Sequence, residues 1–373
     1  VTTALDNATN TWTAAGDLPD ANLAFENDCN MVALTEGQAL LAGGADATGT
    51  AIAAAARFDP TTSTWTPAEP MATGRRLHTV DRLDDGSVLA AGGITGPYKF
   101  PMIAVATAER FDPVTGKWSA TRTEMGVERC LHTATVLADG RVLVAGGLVG
   151  TSLATTNSAE LYDPVTDTWA STGSMTDPRD AHRAVLLADG RVLVAGGAIL
   201  VDDYNVAPLA FCEIYDPETG RWTPTGSMAV PRSLHQAVLL PDGSVLVVGG
   251  SSHGWVGGPV FDMHSLATTE RWYPITERWA PAAGMPFGRD RFHAVTLRSG
   301  QVFVFGGGDE QSLNAGFTAT SRYDPYADTW TPAAPMSYGR CDFAATLLSD
   351  GRVLAAGGSS MYDLPKLTEI YTP

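Results

Sequence analysis

Asp28, Asp342, Arg291 and His293 are of the types that move protons and hold anions. Two carboxylates brought together push one pKa up, and an arginine between them pulls both down. With an imidazole beside them, such a set supplies a general acid, a general base and an anion clamp. That chemistry suits isomerisation, cyclisation, elimination or hydrolysis of a small molecule. A plain ion pair on a rim is the competing account, because structural pairs also perturb pKa values. Asp309 and Glu310 directly follow three glycines and add acceptors. Tyr98, Phe100, Tyr204, His253, Trp255 and His264, together with Leu77, Leu131 and Leu234, are candidates for binding a partly apolar ligand. His253, Asp262 and His264 are metal-ligand types, but no fourth ligand is evident, so no metal and no other cofactor is expected. No Gly-rich loop stands between a strand and a helix, which argues against nucleotide use.

The elements that must position these residues repeat along the chain. Gly-Gly pairs fall at 43–44, 92–93, 146–147, 196–197, 249–250, 306–307 and 357–358. Trp12, Trp65, Trp118, Trp169, Trp222, Trp279 and Trp330 form a second series. A turn such as Asp139-Gly140 precedes each Gly-Gly pair, and all three series count seven. Within one unit, residues 132–137 and 141–147 read as strands joined by the Asp-Gly turn. Residues 159–164 read as a third strand, turning into a fourth at Trp169. A four-stranded meander has two apolar faces and cannot bury them alone; seven stacked around an axis can. The expected fold is therefore all-β, a seven-bladed β-propeller with four antiparallel strands per blade, residues 1–373 forming one domain. Residues 367–373 match a third strand and residues 5–12 a turn and fourth strand. The N-terminal strand should thus join the three C-terminal strands and close the ring.

The run R-x-x-H, then DGRVLVAGG, then ELYDP-x-T-x-x-W, then a methionine six or seven residues on, resembles the kelch repeat. The resemblance covers essentially the whole chain. It implies the propeller and a ligand site on the face carrying the second-to-third and fourth-to-first loops, at the channel mouth. It leaves function open, since kelch propellers serve as enzymes and as interaction modules. Copper-radical oxidases resembling galactose oxidase need a Tyr-His pair, a Cys crosslinked to Tyr and an extra C-terminal domain. The sequence has no Tyr-His dipeptide and nothing after the last blade, so that activity is not expected.

Residues that recur from unit to unit are read as structure. His78, His132, His182 and His235 share one register position and should pack against a neighbouring blade. Arg75, Arg129, Arg179, Arg232 and Arg340 should pair with Glu109, Glu160, Glu213, Glu270 and Glu369 inside their blades, whereas blade 6 has Arg289 but Ser321. Function is sought where the pattern breaks. The second residue after the repeated arginine is Leu77, Leu131, Ala181 and Leu234 in blades 2 to 5. It becomes Arg291, Asp342 and Asp28 in blades 6, 7 and 1, which are neighbours across the closure. Residues 251–269 form the longest loop on that face, and their glycines suit a lid.

Composition sets the outer limits. Apolar residues are 44% of the 373 and charged residues 17%, which excludes a disordered chain. A net charge of −17 repels phosphate backbones and anionic lipid, so neither nucleic acid nor membrane is an expected partner. Four cysteines do not make a disulfide scaffold. The sequence begins at Val1 with no basic n-region and no apolar h-region; a signal could have been removed, and the compartment stays open. The expected partner is a small molecule and the expected state a soluble monomer. The leading reading is an acid–base enzyme on a small, partly apolar molecule at the channel mouth. The alternative is a protein- or peptide-binding module without catalysis.

Overall fold

Strong β-formers in short runs, cut by Gly and Asp-Pro turns, give strands throughout. The computed structural model describes residues 10–19, 31–46, 48–97, 102–151, 154–202, 205–252, 264–310, 316–358 and 366–373. These residues form seven four-stranded antiparallel sheets. In blade 3, for example, Thr133–Val136, Val142–Ala145, Ala159–Asp163 and Thr168–Ser171 lie in chain order. The second strand of each blade is buried on both faces, as its unbroken apolar run requires. Closure follows the expected pattern: Thr11–Asp17 pairs with Leu367–Thr372, with Trp12 opposite Tyr371 and Thr13 opposite Ile370. Trp12 packs against Phe303, Phe305 and Tyr371, filling the seam between blades 6 and 7.

The recurring residues hold the blades as expected. Arg129 donates to Glu160 at 2.9 Å and to the Gly146 carbonyl at 2.8 Å, both side chains being buried. The same ion pair joins Arg75 to Glu109, Arg179 to Glu213, Arg232 to Glu270 and Arg340 to Glu369. Each glutamate also accepts from backbone amides of the methionine turn, as Glu160 does from Gly126 and Val127. Blade 6 replaces the acid with rings: Arg289 lies 4.8 Å from the Phe287 centroid and 5.4 Å from that of Phe317.

The paired glycines and the histidines explain one another. A Cβ on Gly92 would lie 2.7 Å from His132 Cε1, and Gly92 has φ +66°. Only a glycine lets the flat ring of the next blade lie on this backbone. Phe292 and Phe343 occupy the same niche on Gly249 and Gly306, so the loss of histidine there keeps the packing. The ring nitrogens brace the blades as well: His182 Nε2 lies 3.0 Å from the Thr133 hydroxyl and His132 Nε2 3.4 Å from that of Thr79.

Among the described residues, three short hairpins rise from the second-to-third loops of blades 2, 3 and 4: Ile94–Thr95 with Ile103–Ala104, Leu148–Val149 with Ala154–Thr155, and Ala198–Asp202 with Asn205–Pro208. They stand on the face that carries the starts of the inner strands.

Candidate functional site at the channel mouth

The six described residues at the rim position share an unusual backbone. Leu77, Leu131, Ala181, Leu234, Arg291 and Asp342 all have φ between +47° and +53°. Left-handed backbone is costly for residues with a Cβ and persists only where surroundings impose it. Here a string of inter-blade hydrogen bonds imposes it. Leu131 N donates to Leu77 O at 3.1 Å, Ala181 N to Leu131 O at 3.3 Å, and Leu234 N to Ala181 O at 3.2 Å. Across the ring, Asp342 N donates to Arg291 O at 3.3 Å. Among the described residues, backbone bonds thus brace this collar of rim residues from blade 2 to blade 5 and between blades 6 and 7.

On the blade 6–7 side of that collar the charges converge. Arg291 Nη1 lies 3.2 Å from Asp342 Oδ2 and Arg291 Nε 3.0 Å from Asp290 Oδ1. The Arg291 and Asp342 side chains keep 22% of their surface, while Asp290 keeps 2%. Burial works against the Arg291 charge, but Asp342 and Asp290 outweigh it and keep the guanidinium firmly protonated. Burial pushes the Asp290 carboxyl up, Arg291 pulls it back, and Glu310 and Asp309 nearby add to the rise. Glu310 accepts from Ser265 N at 3.3 Å, and His264 lies within electrostatic reach of it. Arg291, Asp342, Asp309, Glu310 and His264 therefore gather on one arc.

His293 takes a different place. Its ring stacks on Phe305 and meets Phe343 edge-on, and Nε2 lies 2.7 Å from the Phe343 carbonyl. Burial holds its pKa down at about 4, so the ring is neutral at physiological pH. It occupies the register in which Thr79 and Thr133 brace the next blade, and it ties blade 6 to the strand entry that carries Asp342. Asp28, Tyr98, Phe100, Tyr204, His253 and Trp255 lie outside the described residues, as do residues 253–263 of the blade 5 loop.

The opposite arc is apolar and opens downward. Leu77, Leu131, Ala181 and Leu234 border a cavity of about 230 Å³ that runs down the channel along blades 2 to 4. Its walls also hold Asp81 and Arg183, two charges that the rim comparison does not reach. The signal for both was available: the residue equivalent to Asp81 is Thr135, Val185, Val238, Val295 or Thr346 in other blades, and that equivalent to Arg183 is Thr79, Thr133, Gln236, His293 or Ala344. Asp180, just before the collar in blade 4, is a further buried carboxyl, raised to about 7 by burial. Among the described residues, no three His, Cys, Asp or Glu side chains converge as a metal site.

Residues 131–358 match the family model of the KLHDC2/KLHL20/DRC7 Kelch-repeats domain. Human Kelch-like protein 34 is 33% identical over 150 residues, 40% of this chain and 22% of that protein. Kelch-like protein terF of Aspergillus terreus is 28% identical over 248 residues, 61% of this chain and 49% of that protein. Galactose oxidase of Gibberella zeae is 28% identical over 169 residues, 42% of this chain and 22% of that protein. The chain thus spans between about a fifth and a half of the length of these curated relatives. A fungal alcohol oxidase of the AA5 family, solved in complex with copper, superposes with a TM-score of 0.72 at 18% identity, covering 94% of this chain and 75% of that one. That likeness concerns the fold.

Proposed function

The chain belongs to the kelch-repeat propellers, and on that premise we propose that it is an enzyme taking a small, partly apolar molecule at its channel mouth and acting on it by acid–base chemistry. One observation carries the reading: a half-buried Arg291–Asp342 pair stands on the same collar as an apolar arc that borders a cavity. Asp342 would take a proton from carbon or water. Arg291 would hold the oxyanion that develops, and the buried Asp290 would keep the guanidinium in place. Asp309 and Glu310 would fix polar groups of the ligand. Leu77, Leu131 and Leu234 would take its apolar part, and His293 would hold the seam beneath Asp342. Asp28, one blade further, would complete the acid–base set.

The test is turnover. Wild type incubated with a broad mixture of small metabolites should consume at least one. The product should be an isomer, or differ by one water, when read by mass spectrometry. Asp342→Asn, folded to the same thermal midpoint, should be slower by about 100-fold or more, within the usual contribution of a general base. If wild type consumes nothing, or Asp342→Asn is as fast, the reading fails.

A second reading, a protein-binding module, is favoured by one feature. Val114, Val165, Ile275 and Tyr326 project from the third-to-fourth turns with 79% or more of their surface exposed. They lie on the face opposite the collar, so this reading would use a different surface.

A further inference from the structure

The cavity below the apolar arc contains one guanidinium without an acid. Arg75, Arg129, Arg179, Arg232 and Arg340 each hold a glutamate. Arg183 has no carboxylate within ion-pair distance, and its buried Nε meets no acceptor among the described residues. The one acid in the same cavity, Asp81, does not close on it, and the buried Asp81 Oδ2 likewise meets no donor. Buried charges and buried polar atoms left without partners are costly, so each calls for an explanation. Thr79 and Thr133 also line the wall, their hydroxyls beside His132 and His182, while the upper rim is Leu77, Leu131 and Leu234. The cavity is therefore polar at depth, where it holds one guanidinium and one carboxyl, and apolar at its mouth.

We propose that this cavity binds the carboxylate of a small apolar acid, with the anion on Arg183, a hydrogen bond to Asp81, and the apolar body against Leu77, Leu131 and Leu234. This deepens the reading above by naming a ligand class, and it rests on small-molecule entry at the mouth. At about 230 Å³ the space suits a molecule smaller than a drug-sized ligand. A guanidinium presents parallel donors that match the two oxygens of a carboxylate.

The charges around the site agree. Burial raises the Asp81 carboxyl to about 7, with the Thr79 hydroxyl working the other way, so below neutral pH it is a donor rather than an anion. The titratable neighbours are His78 on blade 2, His132 on blade 3 and His182 on blade 4, with His235 and His293 next along the ring and Asp180, itself raised to about 7 by burial, at the blade 4 rim. Burial drives His78, His182 and His235 well below the usual range, His132 to about 3 and His293 to about 4. From pH 6 to 8 these imidazoles stay neutral. Arg183 is then the only charge of the described lining until Asp81 ionises and competes with the ligand.

Benzoate and its neutral isostere benzamide are the probes, titrated into wild type by calorimetry. Benzoate should bind saturably with an affinity on the order of millimolar, fitting for so small a ligand. It should bind more tightly at pH 6 than at pH 8, and benzamide should bind at least tenfold more weakly. Arg183→Met should lose about 10- to 100-fold in benzoate affinity, and Arg183→Lys less. Equal binding of the two probes by wild type, or no benzoate binding, overturns the inference without recourse to any variant. So does undiminished benzoate binding by a folded Arg183→Met. Turnover of another molecule class by wild type, independent of Arg183, would remove this inference and leave the collar reading intact. Benzoate binding without any turnover would do the reverse.

Discussion

Asp180 shows how a single side chain at this mouth can be poised. It is 9% exposed, and burial lifts its pKa to about 7. In the unfolded chain it ionises near its ordinary value, so between about pH 4 and 7 the folded state binds the extra proton. Stability therefore falls as pH rises through that window and levels off above the folded pKa. Asp180→Asn removes this loss. Relative to wild type it should be unchanged below pH 4 and more stable by roughly 2 to 4 kcal/mol at pH 8, read by urea denaturation. A difference that does not vary with pH would contradict the assignment. The swap from leucine to Arg291 and Asp342 was legible because a repeat makes exceptions visible. Asp290 was harder to see, since its equivalents are Arg76, Cys130, Asp180, Ser233 and Cys341 and no type there is the rule. Asp81 and Arg183 were missed because comparison of the blades stopped at the rim.

At the scale of the element, the collar is the feature that sequence did not reveal. Leucine gives no hint of positive φ, so Leu77, Leu131 and Leu234 read as ordinary apolar rim residues. The bonds between Leu77, Leu131, Ala181 and Leu234 make the conformation a property of adjacent blades. A β-branched residue should be tolerated poorly there. Leu131→Val is expected to cost about 1–2 kcal/mol beyond the lost methylene. Leu161→Val makes the same chemical change in the paired third strand, where backbone is extended, and should cost less. Equal losses in urea denaturation would mean that the strain at Leu131 is not felt. The strands were legible because their turn residues repeat seven times, and the Arg–Glu clamps because the pair recurs in five blades. The three hairpins above blades 2 to 4 were not, because loops of differing sequence carry no common register.

For the whole molecule, closure was readable from the two ends, each holding part of one blade, and Trp12 opposite Tyr371 realises it. The ring fixes what the mouth can be: charged where blades 6 and 7 meet, apolar along blades 2 to 5, with a cavity descending between blades 2 and 4. The location of the ligand was legible only as a face, since sequence shows which blades differ but not how deep the channel opens. The central claim is that a small molecule is held between these two arcs. Its most direct test is a crystal structure of the Asp342→Asn protein grown with the metabolite that wild type consumes. The account predicts that molecule in the channel mouth, a polar group on Arg291 and an apolar part against Leu77, Leu131 and Leu234. A molecule bound instead among the turns of the opposite face, with the mouth filled by solvent, would contradict it.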